Sequence, residues 1–213
     1  MTIPTDYTEL QAAIEGELAR TDLTSDLPTF IDRGERLLNR KLRILSMETT
    51  ITTLSLVSAT RTIALPDGYL ENISLRYNED EFKPTFVTVD QLDESMSNTQ
   101  TRPERYTIGS TIEFDAPSDA TYAMTMRYFK KWDIATDDTN DLLTNEPDAY
   151  VLSGLVGSVI KTGESSRSQT WVKDLGLIIF DLNRVQGRTK RNREMNFDDA
   201  IVSQSRFNII RGY

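Results

Sequence analysis

Hydrophobic and polar positions change rhythm several times along this chain. Over residues 5–20, Tyr7, Leu10, Ile14 and Leu18 recur at helical spacing, and Thr5 or Asp6 stands where a helix cap is needed. Arg20–Asp26 breaks the pattern and reads as a loop. A second helix is predicted from about Pro28, a residue suited to a first turn, to Leu45. Its apolar face is Leu27, Phe30, Ile31, Leu37, Leu38, Leu42 and Leu45.

Past Met47 the period shortens to two. Thr53-Leu54-Ser55-Leu56 and Thr62-Ile63-Ala64-Leu65 alternate, and Pro66-Asp67-Gly68 is a turn. Glu71–Tyr77 and Phe82–Thr88 read as a second strand pair around Asn78-Glu79-Asp80-Glu81. Val89–Asn98 reads as a short helix capped by Asp90, with Leu92 and Met96 on one face. Arg105–Ile108 and Thr111–Asp115 form a hairpin across Gly109-Ser110, and Tyr122–Trp132 is a long alternating strand.

A helical period returns after an acidic loop, Asp133–Asp148, which carries Asp133, Asp137, Asp138, Asp141, Glu146 and Asp148 and no basic residue. Pro147–Lys161 is apolar on most sides, through Tyr150, Val151, Leu152, Leu155, Val156, Val159 and Ile160. After a polar break at 162–167, Trp171, Leu175, Ile178, Leu182 and Val185 share a second helical face. The two segments predict an antiparallel helical hairpin. Beyond Val185 the pattern fades into a basic arm that ends in an apolar cluster.

The predicted fold class is therefore α+β: a helical bundle with an inserted small antiparallel β module and an extended C-terminal arm. The expected domains are 1–47 with 133–186 for the bundle, 48–132 for the β module and 187–213 for the arm.

Composition removes several kinds of chemistry. The chain has neither cysteine nor histidine, so disulfides, thiolate or histidine metal sites and histidine-based triads are excluded. A formal net charge of −9 argues against a nucleic-acid binder of uniformly basic surface, though not against a ring whose lumen DNA traverses. No window approaches the about 18 uninterrupted apolar residues of a membrane helix. The opening MTIPTDYTEL has no basic or apolar run, so no secretory signal is expected.

Four features remain as candidate chemistry. Residues 154–163, GLVGSVIKTG, resemble a phosphate loop only faintly; they lack the Gly-Lys-Ser/Thr ending and sit inside a helical pattern, where Gly154 and Gly157 suit close helix packing better. Asp137-Asp138-Thr139-Asn140-Asp141 has calcium-loop flavour but lacks the alternating ligands, turn glycine and distal Glu, so a solvated acidic loop is the plainer reading. Arg33, Arg36, Arg40 and Arg43 form a basic stripe on the second helix, either a solvated face with local partners such as Glu35 or a contact with an acidic neighbour or nucleic acid, of which the acidic chain favours the protein contact. The arm reads either as a disordered basic tail or as a segment that folds on a partner. In the second case Phe207, Ile209, Ile210, Arg211 and Tyr213 are its anchors.

Particular residues carry a family likeness. Tyr7-x-x-Leu10-x-x-x-Ile14, Leu18-Ala19-Arg20-Thr21-Asp22-Leu23, Phe30-Ile31, Glu35, Leu38-Asn39-Arg40-x-Leu42-Arg43 and Met47 resemble the N-terminal part of tailed-phage head-to-tail adaptor, or connector, proteins. Leu65-Pro66-Asp67-Gly68-Tyr69-Leu70-Glu71 fits the start of that family's β region. Pro147-Asp148-Ala149-Tyr150-Val151 with Trp171, and the ending Phe207-Asn208-Ile209-Ile210-Arg211-Gly212, are similar too. The hairpin departs from the family, which commonly has a longer alanine-rich stretch with a charged Lys-Asp-Asp style break, where this chain has Thr162–Arg167.

The resemblance implies a structural subunit of the virion neck, assembled in the host cytoplasm, non-enzymatic and without cofactor or metal. It implies a ring of about twelve copies under the portal protein, closed by heterologous contacts. That ring would extend the DNA channel, let genomic DNA pass without sequence-specific binding, and carry the tail, nozzle or tail-tube protein, with no membrane involved. The arm would dock on the portal, the Arg stripe would meet a neighbouring copy or acidic partner, and Asp137, Asp138 and Asp141 would face the lumen or tail. A tail-completion subunit touching only the tail is the alternative. A carboxylate hydrolase using a pair such as Glu113 and Asp115 is a remoter one, since residues two apart on a strand share a face in any case.

Overall fold

The computed structural model describes residues 3–163 and 167–185. The chain divides into two compact units, one made of residues up to Ser46 and from Trp132 onward, the other of Met47–Lys131.

The first unit is helical. Helix α1, Tyr7–Leu18, starts where Asp6 accepts the Glu9 N–H at 2.8 Å, while Glu9 in return accepts the N–H and hydroxyl of Thr5. It ends at Ala19, whose backbone turns left-handed at φ 51°. Arg20–Asp26 is more ordered than a loop: Thr21–Asp26 winds as a 3-10 helix that buries Leu23. Helix α2 runs Leu27–Lys41 and stops short of the predicted Leu45, which is exposed. Leu42 and Ile44 carry its burial onward past the helix end.

After the second unit, the chain returns to helix. The acidic stretch expected as a loop holds two short helices, α4 at Ile134–Asp137 and α5 at Asp141–Asn145. Ile134, Leu142 and Leu143 are buried, so this stretch is pinned by apolar side chains that its charge had masked. Helix α6 spans Pro147–Thr162 and ends at Gly163, in the left-handed conformation that suits glycine there. Helix α7 covers 167–185.

Helices α2 and α6 approach until backbone nearly meets backbone. A Cβ on Gly157 would sit 2.2 Å from the Phe30 carbonyl oxygen, and one on Gly34 2.5 Å from the Ser153 carbonyl. A Cβ on Gly154 would strike Ile14 of α1. Gly154, Gly157 and the buried Ser153 and Ser158 form the inner side of α6, which is not buried all round: Ile160 is 81% exposed. The opposite side of α6, with Val151, Leu152 and Leu155, lines a hollow shared with Trp171 and Ile178 of α7. Leu182 and Val185 share another hollow with Glu146, so α7 runs back along α6 as an antiparallel hairpin. Trp171 and Leu175 are buried, Ile178 and Leu182 half-buried, and Val185 exposed.

The second unit is built on two sheets. Strands β1 (Glu48–Leu56), β7 (Tyr122–Lys130) and β3 (Tyr69–Tyr77) form one, in the order β1-β7-β3, with both pairs antiparallel. Strands β2 (Thr62–Ala64), β6 (Thr111–Phe114), β5 (Arg105–Ile108) and β4 (Thr85–Phe86) form the other, in the order β2-β6-β5-β4. The predicted hairpin of β3 with Phe82–Thr88 does not form. Pro84 has no N–H to give a ladder, and that stretch shrinks to the two residues of β4, which pair in parallel with β5. Strand β3 instead spends its nine residues on β7, of equal length.

Strand β7 is central, and its alternation fails: Met124, Thr125 and Met126 are all buried. Thr125 satisfies its hydroxyl on Asn78 Oδ1 at 2.6 Å. The short helix α3, Val89–Ser95, is capped by Thr88 and Gln91 in a reciprocal box rather than by Asp90. Leu92 is buried, but Met96 lies past the helix end and is exposed.

Candidate interaction surfaces

The Arg stripe of α2 is three residues long. Arg33, Arg36 and Arg40 lie exposed on its outer side. Arg36 pairs with Asp32 one turn earlier, at 2.9 Å, and the Arg40 Nε donates to the Arg36 carbonyl. Arg43 is not on the helix. Its Nη1 donates to the carbonyls of Asn39 at 2.8 Å and Leu42 at 2.6 Å, which closes the helix C-terminus with a cation where the helix dipole favours one.

Glu35, expected as a solvated partner for this stripe, is instead buried with only 7% exposure. Its Oε1 accepts the Ile134 N–H at 2.9 Å and the Tyr150 hydroxyl at 2.8 Å. Burial pushes the carboxyl above its ordinary range, against the pull of those two hydrogen bonds. Tyr150 in turn accepts from Asn140 Nδ2 at 2.7 Å, and Asn140 Oδ1 caps α5 through the Leu143 N–H. One turn along α2, Asn39 donates to the Trp132 carbonyl and accepts the Trp132 N–H, each at 3.0 Å. Glu35, Asn39, Asn140 and Tyr150 thus clamp the segment 132–143 onto α2. Sequence reasoning missed them, although Glu35 sits four after Ile31 and three before Leu38, squarely on the apolar stripe.

That clamp presents the acidic residues. Asp137 and Asp138 stand at the end of α4 and Asp141 at the start of α5, and all three are exposed. Asp138 has left-handed φ and accepts the Tyr7 N–H at 3.4 Å. Among the described residues no three acidic side chains gather as metal ligands. The arm anchors Phe207, Ile209, Ile210, Arg211 and Tyr213 lie outside the described residues.

The second unit carries its own charged cluster. Arg102 lies over the rings of Tyr77 (4.3 Å), Phe82 (4.8 Å) and Tyr122 (5.6 Å) and holds Asp80 by two 2.7 Å bonds. The paired guanidinium brings the Asp80 carboxyl down to about 2. The Tyr77 hydroxyl donates to the Pro103 carbonyl at 2.8 Å, and its burial raises its pKa well above the phenol range. Asp115 is engaged by the Glu104 N–H at 3.2 Å, so it closes a loop beside the β5–β6 hairpin.

Buried Glu35 and Tyr150, with half-buried Asn140, thus fasten segments, while Arg33, Arg36, Arg40, Asp137, Asp138 and Asp141 stand exposed. A family model described as SU10 adaptor protein matches residues 5–175. With most of its length matched, the chain belongs to this family of phage head-to-tail adaptors. No curated protein matches the chain. The family gives the chain a structural role at the junction of head and tail, in the virion neck, facing portal and tail proteins, and it is not an enzyme class. Among the described residues no helix is long and apolar enough to cross a membrane.

Proposed function

We propose that this subunit forms a ring of about twelve copies under the portal, closed by head-to-tail contacts. The ring extends the DNA channel and carries the tail or nozzle protein. The observation that carries the reading is the family match over residues 5–175. Residues 187–213 form a separate docking arm whose Phe207, Ile209, Ile210, Arg211 and Tyr213 enter the portal surface. Aromatic and aliphatic anchors rimmed by arginine suit such a docking segment. The two compact units act as distinct domains of the subunit. Exposed Asp137, Asp138 and Asp141 face the lumen or the tail protein. A wall of that sign repels phosphates, so genomic DNA slides without sequence-specific binding.

The test is deletion of residues 200–213, with the mass of the complex measured after mixing with portal. The truncated chain stays folded and no longer joins portal. Continued co-assembly would assign portal binding to residues outside 200–213, and a full-length chain that never joins portal would favour a subunit that meets only the tail.

A further inference from the structure

Two outer helix faces of the helical unit match each other in spacing and charge. On α2, Arg33, Leu37 and Arg40 follow at intervals of four and three; both arginines are exposed and Leu37 is half-buried. On α7, Asp174, Leu177 and Asp181 follow at intervals of three and four, and all are exposed, Leu177 by 55%. Read in opposite directions the two lines coincide: Arg33 with Asp181, Leu37 with Leu177, Arg40 with Asp174. Each charged pair is seven residues apart on its helix, two turns or about 10.5 Å. None of Arg33, Arg40, Asp174 and Asp181 has an ion pair among the described residues. Arg184 continues the same α7 line three residues past Asp181, Lys173 lies beside that line, and Phe180, 62% exposed, stands beside Leu177. Asp32 and Arg36 flank the α2 line and pair with each other.

Within one subunit α6 stands between these stretches, with Ser153 and Gly157 toward α2 and Val151, Leu152 and Leu155 toward α7, and α7 reaches the α2 end past them, where Asn183 donates to the Lys41 carbonyl at 3.0 Å. The complement is therefore available to a second copy. We propose that α7 of one copy packs antiparallel on α2 of the next, with Leu177 against Leu37 and Asp174 and Asp181 on Arg40 and Arg33. Because the contact joins two different faces, it propagates from copy to copy. The inference rests on the ring reading above and names the surfaces that close the ring.

The absence of cysteine makes the contact testable in the full chain. Leu37→Cys with Leu177→Cys, oxidised mildly alone and after mixing with portal, gives a disulfide ladder of dimers, trimers and higher species. Neither single variant gives more than a dimer band. Adding Arg33→Glu and Arg40→Glu, or Asp174→Arg and Asp181→Arg, lowers the ladder yield about tenfold or more, since like charges then face each other. All four reversals together restore it. An intrachain disulfide, a strong dimer from Leu177→Cys alone, or failure of the fourfold reversal to rescue overturns the proposed pairing. If the parent chain builds a multi-copy complex with portal but no ladder forms, the interface is wrong and the ring stands. If no multi-copy complex forms under either condition, both are wrong.

Discussion

The two units of this protein reach a dry interior by opposite means. In the helical unit the tightest contacts are made by what side chains lack: Gly34 and Gly157 let α2 and α6 close to backbone distance, and Gly154 makes room for the Ile14 side chain of α1. Buried polar groups then fasten the neighbouring segment through Glu35 and Tyr150. In the β unit the contacts are made by large rings, with Tyr77 and Tyr122 edge to face at 5.1 Å and Tyr106 packed on Phe114 and Phe86. Its main charged cluster sits at the surface with Arg102 as a lid on those rings. The lesson is that one unit is sensitive to added atoms and the other to removed ones.

The largest expected effect breaks the α6–α7 seam. Leu175→Asp puts a charge on a side chain that is 2% exposed and costs about 4 kcal/mol or more, so the variant fails to fold or to build rings. A folded, ring-forming Leu175→Asp protein, judged by circular dichroism and mass, would contradict the seam. Gly157→Ala comes next, at about 2–3 kcal/mol in denaturant unfolding, because its Cβ meets the Phe30 carbonyl. Its counterpart in the β unit, Gly109→Ala, has open space and shifts stability by about 0.5 kcal/mol or less. Equal losses at the two glycines would erase the contrast between the units.

The next effect separates the two carboxyls by pH. Glu35 holds its proton more tightly folded than unfolded, so its contribution is fully present below the ordinary value of 4.5 and is lost as pH rises through its raised folded value. Asp80 behaves oppositely: its contribution is present above the ordinary 3.8 and is lost as pH falls toward about 2. Unfolding measured between pH 2 and 7 should lose the first dependence in Glu35→Gln and the second in Asp80→Asn, each without the other. The smallest effect is a gain. Gly16 in α1 has nothing within 4 Å of its would-be Cβ, and Gly16→Ala stabilises by about 0.5–1 kcal/mol. A loss there would mean that α1 has a neighbour on its open side.

The rest divides along a physical line. Local interactions are carried by residues close in the chain, so the sequence by itself determined a helix within residues 5–20 with Thr5 or Asp6 to cap it, the β5–β6 hairpin over Gly109-Ser110, and the helical hairpin of α6 and α7. It also marked Gly154 and Gly157 for packing and placed the chain near the phage adaptors. Tertiary structure decided what depends on distant partners. It paired β3 with β7 across 47 residues of chain, from Tyr77 to Met124, and so seated β7 between two other nine-residue strands, β1 and β3. It turned an acidic stretch into two pinned helices, because Ile134, Leu142 and Leu143 had a core to enter. It took Arg43 off the stripe and Glu35 out of solvent, because unsatisfied carbonyls and N–H groups at a helix end and a chain return needed those charges more than water did.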